Sequence, residues 1–419
     1  MTTRTPRLRL GGAGLILFAT ALAGGSGYVL MPLVAADLGR VGYAAFAIFW
    51  SGLYLAISAM SGLQQEVARA SRPRTGDVTA HRRPVARNFA LVVSGTVLVV
   101  ILGTAPAWVS TVFPRDGWVL VWPLAVGVSA YTIVAVMGGV LYGLSIWRSI
   151  AAMVSIDGVL RLVLVATVLQ FTDDMSVIAW AVAAPFVLTP LLVWPFIRRN
   201  VVNRTELDVG SKQLAWNVAR TVVGSSSTGV LVSGFPLLLG ATSGDASEAA
   251  LGALVLAITL TRAPIVIAVL SLQSYLVIHF RQHGATIGSA LTRILALIAG
   301  ASILLAALAL WFASPLLVLL VGSAYEINNV VLALLVGSAG LVAALCATGP
   351  AVLARSQHMI FTAGWVVAAV TTILLLLLPG TLETRAIVAL SAGPLLGLLV
   401  HLSGFWRPVA VGRNASDGG

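Results

Sequence analysis

The chain reads as an all-α polytopic membrane protein, with about 12 transmembrane helices in two six-helix bundles related by a pseudo-twofold axis along the membrane normal. Three observations predict this. The 419 residues are 59% apolar and 9% charged, with a mean hydropathy of +1.00, and a soluble protein of this length needs far more surface charge. Apolar runs of the roughly 20 residues that cross a hydrocarbon core recur at 11–36, 41–63, 88–113, 118–143, 150–171, 176–197, 214–240, 250–278, 288–313, 329–353, 359–378 and 386–406. Finally, the first and seventh runs share a plan: small residues (Gly24, Gly25, Ser26 and Gly27; Gly224 through Gly229) followed by a proline, Pro32 or Pro236.

The first run follows Arg4, Arg7 and Arg9, and Ala21-Leu22-Ala23 resembles a leader cleavage site. The run continues to Ala36, and cleavage would leave an odd number of spans, so it is read as an uncleaved helix. Six spans per half is an even number, so both halves insert in the same sense. The halves also echo each other in Leu-Gln (63–64 and 272–273), Val-Gly (126–127 and 336–337) and Val-Leu (140–141 and 352–353). The expected division is an N-terminal bundle 1–200, a cytoplasmic linker 201–213, a C-terminal bundle 214–406 and a tail 407–419.

Charge sets the orientation. With the N-terminus inside, inner segments hold 18 of the 25 basic residues, and the outer connections hold only Arg40, Arg115 and Arg385. The positive-inside rule therefore places both termini in the cytoplasm. The longest loop, 64–87, is basic and suits an anionic lipid surface. The net charge of +11 lies in short segments between apolar spans, which topology explains better than nucleic-acid binding. With 24 Arg to one Lys and abundant Ala, Gly and Val, the composition fits a GC-rich bacterium and its plasma membrane. One cysteine, Cys346, excludes an internal disulfide and a cysteine metal cluster, and neither a metal nor a cofactor is expected.

Five charges fall inside spans: Asp157, Arg161, Arg220, Arg262 and Arg293. Each costs about 2.5 to 3.5 kcal/mol on insertion scales and so needs a reason. Asp157 and Arg161 are one helical turn apart and can pair, either as structural neutralisation or as an ion-coupling pair. Arg262 precedes Pro264 by two residues. Such a proline frees a carbonyl that a guanidinium can reach, so Arg262 either braces a kink or faces a cavity. Arg220, with Asn217 one turn before it, lies about 10 Å in from the cytoplasmic end at 1.5 Å per residue, and either snorkels or lines the cavity. Arg293 is placed to snorkel. Four arginines against one aspartate describe a cavity for an anion, and guanidinium forks suit phosphate. His279 and His283 are read as interfacial. The small-residue runs serve close helix packing or, with Pro32, Pro236 and Pro264, hinges.

With its paired first and seventh helices and the stretch FWSGLYLAISAMSGLQQEVAR at 49–69, the chain resembles polysaccharide and O-antigen flippases of the multidrug, oligosaccharidyl-lipid and polysaccharide (MOP) exporter superfamily. The resemblance implies a non-enzymatic transporter that moves a polyprenyl-pyrophosphate-linked sugar from the inner to the outer leaflet by alternating access among membrane lipids. It also implies that Arg161, Arg220 and Arg262 hold the pyrophosphate or an acidic sugar, with Asp157 the one buried acid able to carry a coupling cation. The alternative is an ion-coupled multidrug or small-solute exporter of the same superfamily, which would want acidic cavity residues. A major-facilitator transporter would show a Gly-x-x-x-Asp-Arg-x-Gly-Arg loop after its second span, and 64–87 lacks it. A membrane glycosyltransferase would need catalytic carboxylates on a sizeable first outer loop, where only 37–40 is found.

Overall fold

The structure is a computed structural model that describes residues 10–73, 85–202, 205–244, 246–282 and 287–406. It is almost wholly helical. Helix α1 (Leu10–Ala70) is 61 residues long and covers the first two apolar runs. Its single interruption is Gly39 (φ 66°, ψ −178°), a left-handed position that glycine occupies without a Cβ penalty, so the chain reverses with no separate loop. Then come α2 (Val85–Val112), α3 (Trp118–Gly143), α4 (Trp147–Leu169) and α5 (Met175–Val201). The seventh run is split into α6 (Ser211–Val232) and α7 (Phe235–Ala241), bent by 74°. Helices α8 (Glu248–Gln282), α9 (Ile287–Val321), α10 (Asn329–Ala354), α11 (His358–Leu376) and α12 (Leu382–Trp406) complete the chain. Among the described residues nine helices are long and apolar enough to cross a membrane, or ten if the bent pair is one span. Helix α1, at about 1.5 Å per residue, is long enough to cross twice.

One element was not expected. Residues 205–207 of the linker form a strand, β2 (Thr205–Leu207), which pairs antiparallel with β1 (Ser71–Pro73) directly after α1. Arg72 and Asp208 close it with a 2.8 Å ion pair. Three-residue strands carry no periodic signal, and this pair forms because α1 and α5 deliver their ends side by side.

Two ends of the molecule can be distinguished: a basic end, where α1 begins and α12 finishes, and the opposite end, where Gly39 lies. At the opposite end a single buried core runs through both chain halves, from Leu30, Tyr43 and Phe49 to Phe235, Leu254 and Leu390. Polar contacts seal it. Tyr325 donates to the Ala35 carbonyl at 2.8 Å, and burial pushes its phenol up to about 12, so it remains a donor. Arg115 pairs with Glu248 at 2.6 Å, and Gly252 lies against the Arg40 carbonyl with no room for a Cβ. Beside these contacts a cavity of about 350 Å³ is lined by Arg115, Asp116, Asp173 and Glu248 among others. Burial raises the Asp116 carboxyl, Arg115 opposes that shift, and Asp174 adds to it.

The basic end is built differently. Leu141, Ile150 and Val193 form a core within the first half, and Leu276, Ile287 and Ala347 form another within the second. Among the described residues the halves meet at this end along α1 and α6, where Gly62 lies against the Val222 backbone and Thr221 donates to Glu66 at 2.8 Å. Leu214 of α6 joins Leu63 and Val67 of α1 in a shared cluster. Among the described residues one core spans both halves at the opposite end, whereas at the basic end each half also has a core of its own.

Close helix contacts carry this arrangement. A Cβ at Gly158 of α4 would stand 2.6 Å from the Ala23 Cα of α1. Gly158→Val should force the two helices apart and cost about 1 to 3 kcal/mol, as overpacking does, read as a lowered thermal midpoint in detergent.

Candidate transport site

The buried charges gather into two clusters. In the first half, Arg161 of α4 is 5% exposed. Its Nε donates to the Val182 carbonyl of α5 at 3.1 Å, Nη1 to the Tyr54 hydroxyl of α1 at 2.7 Å, and Nη2 to Asp157 at 2.9 Å. The Phe186 ring lies 4.4 Å from the guanidinium carbon, and Tyr131 meets Phe186 edge-on at 5.2 Å. The pairing expected from the four-residue spacing is present, but Arg161 is enclosed by protein groups. Asp157, with 23% of its side chain accessible, is the member that meets open space.

In the second half, Arg262 of α8 is 6% exposed. Its Nη2 donates to the Leu231 carbonyl at 3.1 Å, and the Phe235 ring lies 5.9 Å from the guanidinium carbon. The carbonyl therefore comes from the end of α6 and is not one freed by Pro264 in the arginine's own helix. A helix C-terminus leaves its last carbonyls unpaired and negatively polarised, which suits a cation. The Pro264 side chain lies outside the described residues. Unlike Arg161, Arg262 has no carboxylate partner among the described residues, and its Nε is buried without a hydrogen-bond acceptor. The Tyr28 hydroxyl of α1, within electrostatic reach of Arg262, is likewise buried and unpartnered.

The other expected residues scatter. Arg220 is exposed on α6. Asn217 accepts from Gln213 Nε2 at 3.1 Å, and its carbonyl accepts from Thr221 at 3.0 Å. Arg293 is exposed near the start of α9. Pro32 sits within an unbroken stretch of α1, whose interruption falls at Gly39. Pro236 lies in the first turn of α7, at the 74° bend. His283 and the His279 side chain lie outside the described residues. Among the described residues no group of three His, Cys, Asp or Glu could hold a metal.

Three residues that sequence reasoning passed over matter here. Tyr28 and Tyr54 bear no charge, so counting charges inside spans missed both. Ser51 of α1 is 1% exposed and bonds into the α6–α7 break. A fourth, His401 of α12, is fully buried, with Nδ1 2.9 Å from Thr348 Oγ1 and Nε2 3.0 Å from the Phe361 carbonyl. A histidine inside the last apolar run was a visible signal.

No family model matches the chain. It is 33% identical to the uncharacterized protein Mb3654 of Mycobacterium bovis, over 92% of this chain and 89% of that one. It is also 33% identical to the uncharacterized protein Rv1510 of Mycobacterium tuberculosis, over 93% and 90%. The chain belongs to the family of these mycobacterial proteins. Among solved structures it is similar to lipid II flippase MurJ in an inward closed conformation, with TM-score 0.67 and 10% identity over 95% of this chain and 88% of that one. It is similar as well to an inward-facing multidrug resistance MATE family transporter of the MOP superfamily, with TM-score 0.64 and 16% identity over 93% and 94%. A third is a MOP superfamily transporter from Pyrococcus furiosus whose binding pocket is described as having reverse polarity, with TM-score 0.65 and 16% identity over 94% and 95%. This mycobacterial-type chain therefore has the MOP transporter fold, and it is the all-α polytopic membrane protein its composition predicts.

The two clusters answer differently to substitution. Asp157→Asn leaves Arg161 buried without its counter-charge, which costs about 3 to 5 kcal/mol. The double replacement Asp157→Asn with Arg161→Met should recover most of that loss, read by thermal unfolding in detergent.

Proposed function

We propose that this chain is a flippase that moves a polyprenyl-pyrophosphate-linked oligosaccharide from the inner to the outer leaflet by alternating access. The observation that carries the reading is Arg262: a nearly fully buried guanidinium with an unpartnered Nε, no carboxylate partner among the described residues, and an unpartnered tyrosine hydroxyl in reach. An uncompensated buried cation is costly, and a pyrophosphate oxygen supplies both the missing charge and the missing acceptor. Tyr28 would donate to the same group. Arg220, exposed towards the basic end on the same helix that supplies Leu231, is suited to meet the headgroup first.

In this reading the basic end is cytoplasmic, because the basic residues are concentrated there. A lipid-linked precursor would then be loaded from the end where each half has a core of its own. The units that rock are 1–200 and 214–406, joined by the linker 201–213. A coupling cation, if the cycle uses one, would act at Asp157, the accessible member of the first-half pair. The exporter alternative is disfavoured because a cationic cargo would meet Arg262, whose charge no carboxylate among the described residues compensates.

Two measurements test this. In proteoliposomes carrying a fluorescent polyprenyl-pyrophosphate-linked oligosaccharide, Arg262→Ala should lower flipping at least tenfold with normal folding. Arg262→Lys should fall between, since it restores the charge without the fork. Wild-type flipping by Arg262→Ala would overturn the assignment. For orientation, a cysteine at Thr381 should react with a membrane-impermeant thiol reagent in whole cells and one at Ser356 should not. Cys346, the sole native cysteine, is buried and stays silent.

A further inference from the structure

Proline does not by itself break a helix in this molecule. Pro106 lies inside α2, Pro123 inside α3, Pro185, Pro190 and Pro195 inside α5, Pro315 inside α9, Pro350 inside α10 and Pro394 inside α12, and each helix runs on. Among the described residues only at Pro236 does the helix part, by 74°. What distinguishes that position is a side chain from the other half of the chain. Ser51 of α1 donates its hydroxyl to the Ser233 carbonyl at 2.6 Å and accepts from the Leu237 N–H at 3.0 Å. Ser233 and Leu237 are four residues apart, so these two groups would bond directly to each other in a continuous helix. The Ser51 hydroxyl stands between them.

We propose that Ser51 is a latch that holds the α6–α7 bend and thereby positions the Arg262 site. The bend presents the Leu231 carbonyl to Arg262 Nη2 and places the Phe235 ring beside the guanidinium. In a continuous helix that carbonyl would accept from the Phe235 N–H instead. Ser51 lies on the α1 surface that closes against the second half, between Ile48, which packs on Gly240, and Leu55, which packs on Gly229 and Gly234. If the halves separate at the opposite end, Ser51 withdraws, Leu237 N–H bonds to Ser233 O, and the freed hydroxyl bonds to the Ala47 carbonyl one turn back, as buried serines do. Two hydrogen bonds are made in each state. The bend and the straight helix are therefore close alternatives, and the first half selects between them.

The latch rests on the proposed transport reading only for its effect on Arg262, and its structural part is testable without substrate. Spin labels on cysteines at Val119 of the first half and Thr381 of the second, both exposed at the opposite end, report closure by pulsed EPR in liposomes. The wild type should give mainly one short distance. Ser51→Ala should add a longer population, raising its share at least threefold, and Ser51→Thr, which keeps the hydroxyl, should restore the wild-type distribution. In flipping assays Ser51→Ala should change KM for the pyrophosphate-linked substrate at least threefold, and Ser51→Thr should rescue it. A distance distribution in folded Ser51→Ala identical to wild type would overturn the latch. Should that variant fail to fold, Pro236→Ala, which returns an N–H to the Val232 carbonyl and eases the straight helix, should produce the same shift, and no shift there overturns the proposal equally. Normal flipping by Arg262→Ala together with a shifted distribution in Ser51→Ala would sink the anion site and leave the latch standing.

Discussion

A backbone carbonyl or amide buried in hydrocarbon without a partner costs several kcal/mol, and the break between α6 and α7 exists only because side chains from elsewhere meet that cost. At the break itself Arg262 takes the Leu231 carbonyl and Ser51 bridges Ser233 and Leu237, while at the far end of α7 Arg385 of α12 donates to the Thr242 carbonyl at 2.8 Å. Each of these donors belongs to a different helix. The bend is thus a property of the assembled molecule, and it gathers α1, α8 and α12 around one short segment.

The two buried arginines divide the work of the interior. Arg161 is neutralised by Asp157, bonded to Tyr54 and Val182, and covered by Phe186, so it ties α1, α4 and α5 into one unit. Arg262 keeps its charge uncompensated by any carboxylate among the described residues and leaves an acceptor position open. The first is a closed ion pair, and the second is a buried cation with one N–H unpartnered. The same residue type serves both ends because guanidinium is planar, always charged and weakly hydrated.

The small residues read as ambiguous in the sequence resolve into two uses. Gly229 lies against Ser58, Gly62 against Val222 and Gly252 against Arg40, all across the boundary between the halves. Gly158 against Ala23 and Gly364 against His401 are within a half. Packing by near contact of backbones gives interfaces that fit in one arrangement and shift as rigid bodies. One core spans both halves at one end, and a separate core lies within each half at the other.

Hydropathy by itself determined the helices of this protein, because backbone polarity leaves no other way through hydrocarbon, and it located most of the apolar runs to within a few residues, although α9 runs on to Val321 where 313 was expected and the seventh run is two helices. The four-residue spacing of Asp157 and Arg161 determined their pairing, since it is local to one helix. The merging of the first two runs into α1 turned on Gly39, one glycine among 41. What only the tertiary structure decided were the placements of distant segments: β1 with β2, Arg262 with Leu231, Tyr28 within electrostatic reach of Arg262, and Ser51 in the α6–α7 gap. Ser51 and Leu237 are separated by 186 residues. No periodicity links positions so far apart, and a lone serine in an apolar run carries no mark of the carbonyl it will meet.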